Sequence, residues 1–511
     1  MRLEIRRRLA CVALVALVAL TATTAISGAP APAARKATTR KVAAIGKMPA
    51  VAAEVLSTRS RMAEDLQTLC DEIGGRATGS HAYEAALEWG KEAFRRAGVD
   101  SVELESYDAP AKWEGVRAAA SVVLPRRFPL RVVSFGNAPS TRGTLMAALV
   151  DAGTGHKADF DRLGAKARGA IALVRSKPML SFDDLFAEYL AGPEMLKSAE
   201  ASGVAAVLFT STRPRDLLYR HTITFDGTII SLPIAQVARE DGLRLARLLE
   251  KGLDLTVSLD IENQVGGPWK GENVVAEIRG SEKPDEIVLL GAHLDSWDLG
   301  TGALDNGVNS ALVVEVARAI AAGPRPKRTV RFVLFTGEEN GLLGSRGYVA
   351  SHKDEMDRYD AVLIHDIGDG RILGYFTDGR PDIHGSLGKA LAPVAPWGAA
   401  GMNDEAILGT DNFDFLLEGV PNLIANQETA KYLPDYHAAS DTFDKVDMGQ
   451  ARKNAAIAAV AVSGIANAPG RLGKRQSRAE IERVLEKSGV ADQMKTYGLW
   501  ADWESGKRGR K

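Results

Sequence analysis

His293, Asp295 and Asp305, the adjacent pair Glu338 and Glu339, and then His365 and Asp366 are residue types that bind metal ions, gathered in one stretch of the chain. Neutral imidazole and carboxylate suit Zn²⁺, which they hold at about 2.0–2.2 Å. His293 and Asp295 stand two apart, so on an extended segment they share a face. The Asp295 carboxylate is thereby expected to accept a hydrogen bond from the second ring nitrogen of His293, fixing its tautomer and raising its basicity. Asp305, in the turn Gly302-Ala-Leu-Asp-Asn306, has two oxygens with which to bridge two metals. Glu338 and Glu339 point different ways at a strand end, so one can bind metal while the other faces the water to be activated. Two ions about 3.5–4 Å apart can activate water and polarise a substrate oxygen together. A neighbouring glutamate can then carry a proton from water to a leaving amine. Those are the parts that amide hydrolysis needs. His-x-Asp and Glu-Glu are each common by chance, and the reading rests on their joint order. His365 points to the opposite side from Asp366 and is read as structural. Cys70, in the helically spaced run from Met62 to Ile73, is read as a buried core thiol.

These residues need strand ends to carry them. Glu286–Leu290, Thr329–Phe335, Ala361–Ile364 and Leu423–Ala425 read as strands, and Val308–Ala321, Leu342–Ser351 and Gly449–Ala466 as helices. The alternation predicts an α/β fold with a mixed sheet flanked by helices. The chemical residues follow the carboxyl ends of the strands, where open sheets of this kind place their sites. Upstream, a helix is expected from Ser80 to Gly98, with a cap at each end, and a strand from Ser101 to Tyr107.

Residues 112–267 have a different texture. Short strands such as Ala170–Val174 and Ala205–Phe209 flank a helix expected over Pro193–Ser202, and Thr222–Pro233 reads as β-rich and turn-rich. No ligand-spaced cluster of His, Asp or Glu appears there, so the segment reads as an inserted domain that packs against or gates the site. It interrupts an α/β domain built from residues 48–111 and 268–470. Residues 1–31 read as a signal peptide: Arg6-Arg7-Arg8, an apolar run from Leu9 to Leu20, then small residues. Residues 32–47 read as a disordered lead-in, and residues 471–511 as a charged helical tail with a frayed basic end. Only Cys70 survives removal of the signal, which leaves no intramolecular disulfide. The chain has 511 residues, is 45% hydrophobic and carries 64 basic against 65 acidic residues, so a nucleic-acid partner is not expected.

Gly291-Ala-His-Leu-Asp-Ser-Trp-Asp298, Gly302-Ala-Leu-Asp-Asn-Gly307, Phe335-Thr-Gly-Glu-Glu-Asn-Gly341 and Asp435-Tyr-His437 resemble the M28 family of zinc peptidases, the carboxypeptidase Q group most of all. The run Asp441–Asp447 strengthens that likeness, which covers roughly residues 59–468. The resemblance implies two zinc ions, with Co²⁺ or Mn²⁺ as substitutes. His293 and Asp366 would hold one, Glu339 and His437 the other, and Asp305 would bridge them. Glu338 would be the general base, and Tyr436 would stabilise the oxyanion. The peptide Asp305-Asn306 is expected to be cis. Residues 112–267 would be a protease-associated domain, the substrates short peptides or dipeptides, and the assembly a homodimer. Gly409-Thr-Asp-Asn-Phe-Asp414 departs from the Ser-Asp-His type triplet of many relatives, in a loop that lines the substrate pocket. Three alternatives stand beside this reading: an aminopeptidase, an M20-type di-zinc peptidase, and a non-catalytic binding protein of the same fold.

Overall fold

The apolar runs before the candidate ligands are strands buried on both faces. In the computed structural model, which describes residues 48–511, four parallel strands lie side by side in the order Arg328–Phe335, Lys283–His293, Tyr359–Ile364 and Asn422–Gln427. Ser101–Ala109 and Trp269–Ile278 extend the sheet at one edge through antiparallel pairing. Ile372–Phe376 joins the other edge antiparallel and carries Gly401–Asn403 beside it, which makes the sheet mixed. The expected signal peptide and lead-in, residues 1–47, lie outside the described residues.

Alternate strand residues enter opposite cores. Val288, Leu290 and Ala292 pack with helices Val308–Ala321 and Met448–Ala466 on one face. Ile287, Leu289 and Val333 pack with Tyr348 and Val349 of helix Leu343–Ser351 on the other. A strand covered on both sides must be apolar throughout, which is why these segments read as continuous hydrophobic runs. From Lys283–His293 the chain steps to Arg328–Phe335 on one side, then back across to Tyr359–Ile364 on the other. That reversal opens a crevice at the carboxyl ends of the strands, where ligands bind in such sheets.

Upstream, Ser80 accepts a hydrogen bond from the Tyr83 amide and Gly98 takes a left-handed φ of 82°, so helix His81–Ala97 is capped at both ends as expected. Cys70 is buried.

A second eight-stranded sheet comes from residues 112–266, with the long strands Lys112–Leu124 and Thr256–Gly266 paired antiparallel. Two expectations in this region fail. The helix begins at Phe182, not Pro193: Ser181 caps it by accepting from the Asp184 amide, and Asp183 and Asp184 fill its first turn. Pro193 resembles a helix start because proline suits a first turn, but here it lies inside the helix. Residues 222–233 contain no strand. Thr222 and Asp226 accept hydrogen bonds from the amides two residues on, which turns the backbone away from a ladder.

The C-terminal segment is helical, but it packs onto the body and does not end in a frayed tail. It folds into helices Arg478–Ser488, Val490–Thr496 and Trp500–Glu504. Ile481, Leu485, Val490, Met494, Leu499 and Trp503 pack onto the body. Arg508, expected in a frayed end, is buried and grips Asp414 through two hydrogen bonds of 2.7 and 2.6 Å. Apolar residues four apart among the charges were the available signal, since each such pair shares one helix face.

Candidate metal centre

Four neighbouring parallel strands deliver the candidate ligands to one rim. His293 ends Lys283–His293, and its register partner Phe335 ends the next strand, two residues before the Gly337-Glu338-Glu339 turn. Asp366 follows Tyr359–Ile364, and His437 lies in the loop after Asn422–Gln427. Asp305 sits where the chain turns into helix Val308–Ala321, and the Asp305-Asn306 peptide is cis, as the resemblance implied.

The side chains converge in two trios that share one residue. His293 Nε2 lies 2.8 Å from Asp366 Oδ1 and 3.2 Å from Asp305 Oδ1. His437 Nε2 lies 2.9 Å from Glu339 Oε2 and 3.2 Å from Asp305 Oδ2. Ligand atoms of His293, Asp305 and Glu339 lie within 4.8 Å of one another. All five side chains are nine-tenths or more buried. Glu339 Oε1 has no hydrogen-bond partner, and Asp305 Oδ2 meets only the His437 ring. Buried carboxylates packed this closely need positive charge between them, and the imidazole and carboxylate donor set fits Zn²⁺.

Proton affinities reflect that crowding. Burial pushes Glu338 well above the usual carboxylate range; the His293 charge opposes this, while Asp366, Glu339 and Asp411 add to it. Burial likewise raises Glu339 to about 7. His437 rises to about 9, because the Glu339 and Asp305 carboxylates outweigh its burial. Asp305 is held below the usual range, its burial outweighed by hydrogen bonds from both histidines.

Asp295 does something other than expected. His293 Nδ1 bonds the Asp295 main-chain carbonyl at 2.9 Å, while the Asp295 carboxylate stands 3.7 Å away. That carboxylate instead accepts from Thr78 Oγ1 at 2.7 Å and from the Glu338 and Glu339 amides at 3.3 Å. The strand ends at His293, so a shared strand face no longer applies to Asp295, which holds the glutamate turn in place. His365 is fully buried with both ring nitrogens unpartnered, beside Tyr375, and burial lowers it to about 3. Tyr436 stacks on the His437 ring at 3.7 Å, and its hydroxyl meets that of Tyr189 at 2.9 Å.

Several supporting residues were not given this role by the sequence. Arg76 is fully buried and donates to the carbonyls of Leu294, Thr301 and Gly302 at 2.7–2.8 Å, knitting together the loop between His293 and Asp305. Asp441 accepts from the Leu304 and Asp305 amides at 2.7 and 3.1 Å. The segment around Arg220 holds the last ligand. His437 has a left-handed φ of 58°; its carbonyl accepts from the Arg220 amide, and Ala438 bridges to Tyr219. In each of these contacts at least one partner is a backbone group, which any residue type supplies.

Beside the trios opens a cleft of about 550 Å³. Its walls come from helix Phe182–Ser202, the 405–410 loop, the 426–436 segment and the C-terminal segment. No Arg or Lys stands among the described residues that line it.

Residues 273–462 match the model of Peptidase family M28. The chain is 29% identical to carboxypeptidase Q of Xenopus laevis over 392 residues, 76% of this chain and 82% of that one. It is 30% identical to aminopeptidase YwaD of Bacillus subtilis over 293 residues, 57% of each. The crystal structure of a peptidase M28 precursor from Shewanella amazonensis SB2B matches with a TM-score of 0.76 at 28% identity, covering 84% of this chain and 97% of that one.

Proposed function

We propose, from the premise that residues 273–462 belong to peptidase family M28 and that the chain is a metallopeptidase, that it is an exported di-zinc exopeptidase of short peptides. The observation that carries this is the Asp305 carboxylate, which turns one oxygen to the His293–Asp366 pair and the other to the His437–Glu339 pair. His293 and Asp366 would hold one ion, His437 and Glu339 the second, with Asp305 between them. When bound, the two ions supply Lewis acidity at the scissile carbonyl and make water a nucleophile near neutral pH.

The chain's own groups do the rest. Glu338 keeps access to the cleft and has a raised proton affinity, which suits a carboxylate that takes a proton from water and returns it to the departing amine. Asp295 and Thr78 hold the backbone that aims Glu338. The Tyr436 hydroxyl, on the cleft wall and hydrogen-bonded to Tyr189, is a donor for the oxygen that gains charge. Residues 112–267 are read as a protease-associated domain, whose helix Phe182–Ser202 walls the cleft. Export is read from residues 1–31; among the described residues no helix is long and apolar enough to cross a membrane.

The lining of the cleft favours an enzyme that reads a free amine. A substrate carboxylate would seek Arg, Lys or a helix N-terminus. The start of helix Phe182–Ser202 reaches the cleft, but Asp183 and Asp184 already occupy its first turn. At the rim, Asp183 and Glu405 are positioned to attract an ammonium group.

Zinc analysis and hydrolysis of a dipeptide panel by wild type and Glu338→Gln test the reading. The variant is expected to keep its zinc and lose at least about 10²-fold in kcat. A wild type that holds zinc but cleaves no peptide better than the variant would leave a binding protein instead. N-blocked dipeptides should resist cleavage while C-amidated ones are cut; the reverse result would assign a carboxypeptidase.

A further inference from the structure

The C-terminal segment, beyond the family match at residue 462, reaches the substrate cleft. Gln493 and Tyr497, on and just after helix Val490–Thr496, line it. The Tyr497 ring lies 4.3 Å from that of Phe225, which arrives from the second-sheet region. Phe225 in turn sits directly on the glutamate turn: a Cβ on Gly341 would fall 2.4 Å from the Phe225 carbonyl carbon. The aromatic pair is therefore fixed against the turn that bears Glu338 and Glu339. Phe186, 40% exposed, and Leu408 complete an apolar surface facing the same cavity.

This wall is held firmly. Met494 and Leu499, on either side of Tyr497, are buried against Leu408, Phe413 and Leu416. Further along, Arg508 grips Asp414 in the interior, and the Arg510 amide donates to the Leu417 carbonyl at 2.9 Å. An aromatic ring held this way presents a fixed apolar face at little entropic cost, which is what selects one side chain over another.

We propose that Tyr497, paired with Phe225, forms the pocket for a bulky apolar side chain on a substrate residue flanking the scissile bond, so that the C-terminal segment takes part in substrate selection. The proposal rests on the peptidase reading for its substrate, while the pocket itself can be tested by binding alone. A hydrophobic pocket distinguishes side chains by about 10–200-fold.

The experiment compares wild type, Tyr497→Ala and Tyr497→Phe as full-length, zinc-loaded proteins. Two ratios are read: kcat/KM for Phe-Ala over Ala-Ala, and calorimetric affinity for phenylalanine over alanine. Wild type should favour the phenylalanine ligand by about 10-fold or more. Tyr497→Ala should collapse both ratios toward one, while Tyr497→Phe, which keeps the ring, should preserve them. Equal losses on both ligands, or ratios that survive in Tyr497→Ala, overturn the proposal. If wild type cleaves neither dipeptide, the peptidase reading fails and the affinity ratio alone decides the pocket. Should Tyr497→Ala not fold, Phe225→Ala, on the other side of the ring pair, is read against the same two outcomes.

Discussion

Asp305 offers one oxygen to each histidine, so its loss should be felt at both halves of the centre. Metal analysis of dialysed protein should find Asp305→Asn nearly free of zinc, whereas Asp366→Asn keeps about one ion. Protons compete for the same groups. Glu339 and His437 hold theirs to about pH 7 and pH 9 when no cation is present, so binding must expel them and should tighten as pH rises. Calorimetry in buffers of different ionisation enthalpy would count the protons released. His365 acts on stability instead. Burial lowers it from the ordinary 6.5 to about 3, so the folded state binds its proton less readily than the unfolded chain does. Its contribution is intact above pH 6.5 and is lost as pH falls toward 3, by about 1.4 kcal/mol per unit of difference. His365→Leu, which has no ring nitrogen to leave unpartnered, should flatten that part of the acid-unfolding curve.

At the scale of elements, the turn after strand Arg328–Phe335 shows how little room the site leaves. Gly341 has a φ of +106°, and any side chain there would strike the Phe225 backbone. Gly341→Ala should therefore destabilise the protein by about 1–3 kcal/mol. It should also displace Glu338, lowering kcat out of proportion to the drop in Tm. A neutral Gly341→Ala would mean that the turn does not depend on this contact. Asp378 is a comparable anchor for the loop that lines the cleft: it accepts from the Ile407 amide and from Asn412 and Asn422 at 2.9–3.0 Å.

For the whole molecule, the C-terminal segment belongs to the fold and is not an appendage. Arg508→Ala would leave Asp414 buried without its partner, at a cost of about 3–5 kcal/mol, visible as a fall in Tm. Replacing both, as Arg508→Met with Asp414→Leu, should restore most of that loss, because the pair's benefit is offset by the desolvation of two charges. The second-sheet region is tied to the site as well. Arg220 pairs with Asp298 at 2.5 Å and donates to the Ser134 carbonyl, while its amide supports His437.

Periodicity and residue chemistry sufficed for the parallel strands, the helix Val308–Ala321, the four candidate ligands His293, Asp305, Glu339 and Asp366 and the neighbouring Glu338, while His437 came only with the likeness to the M28 peptidases. These depend on local preference and on the need to cover both faces of a sheet, and both leave marks in the order of residues. Tertiary structure alone decided that Asp295 supports the Glu338–Glu339 turn, that Arg76 and Arg220 brace the ligand loops, and that Tyr497 packs beside Phe225 in the cleft wall. Those contacts join distant segments, often through backbone carbonyls and amides that every residue shares, so no pattern in the sequence marks them.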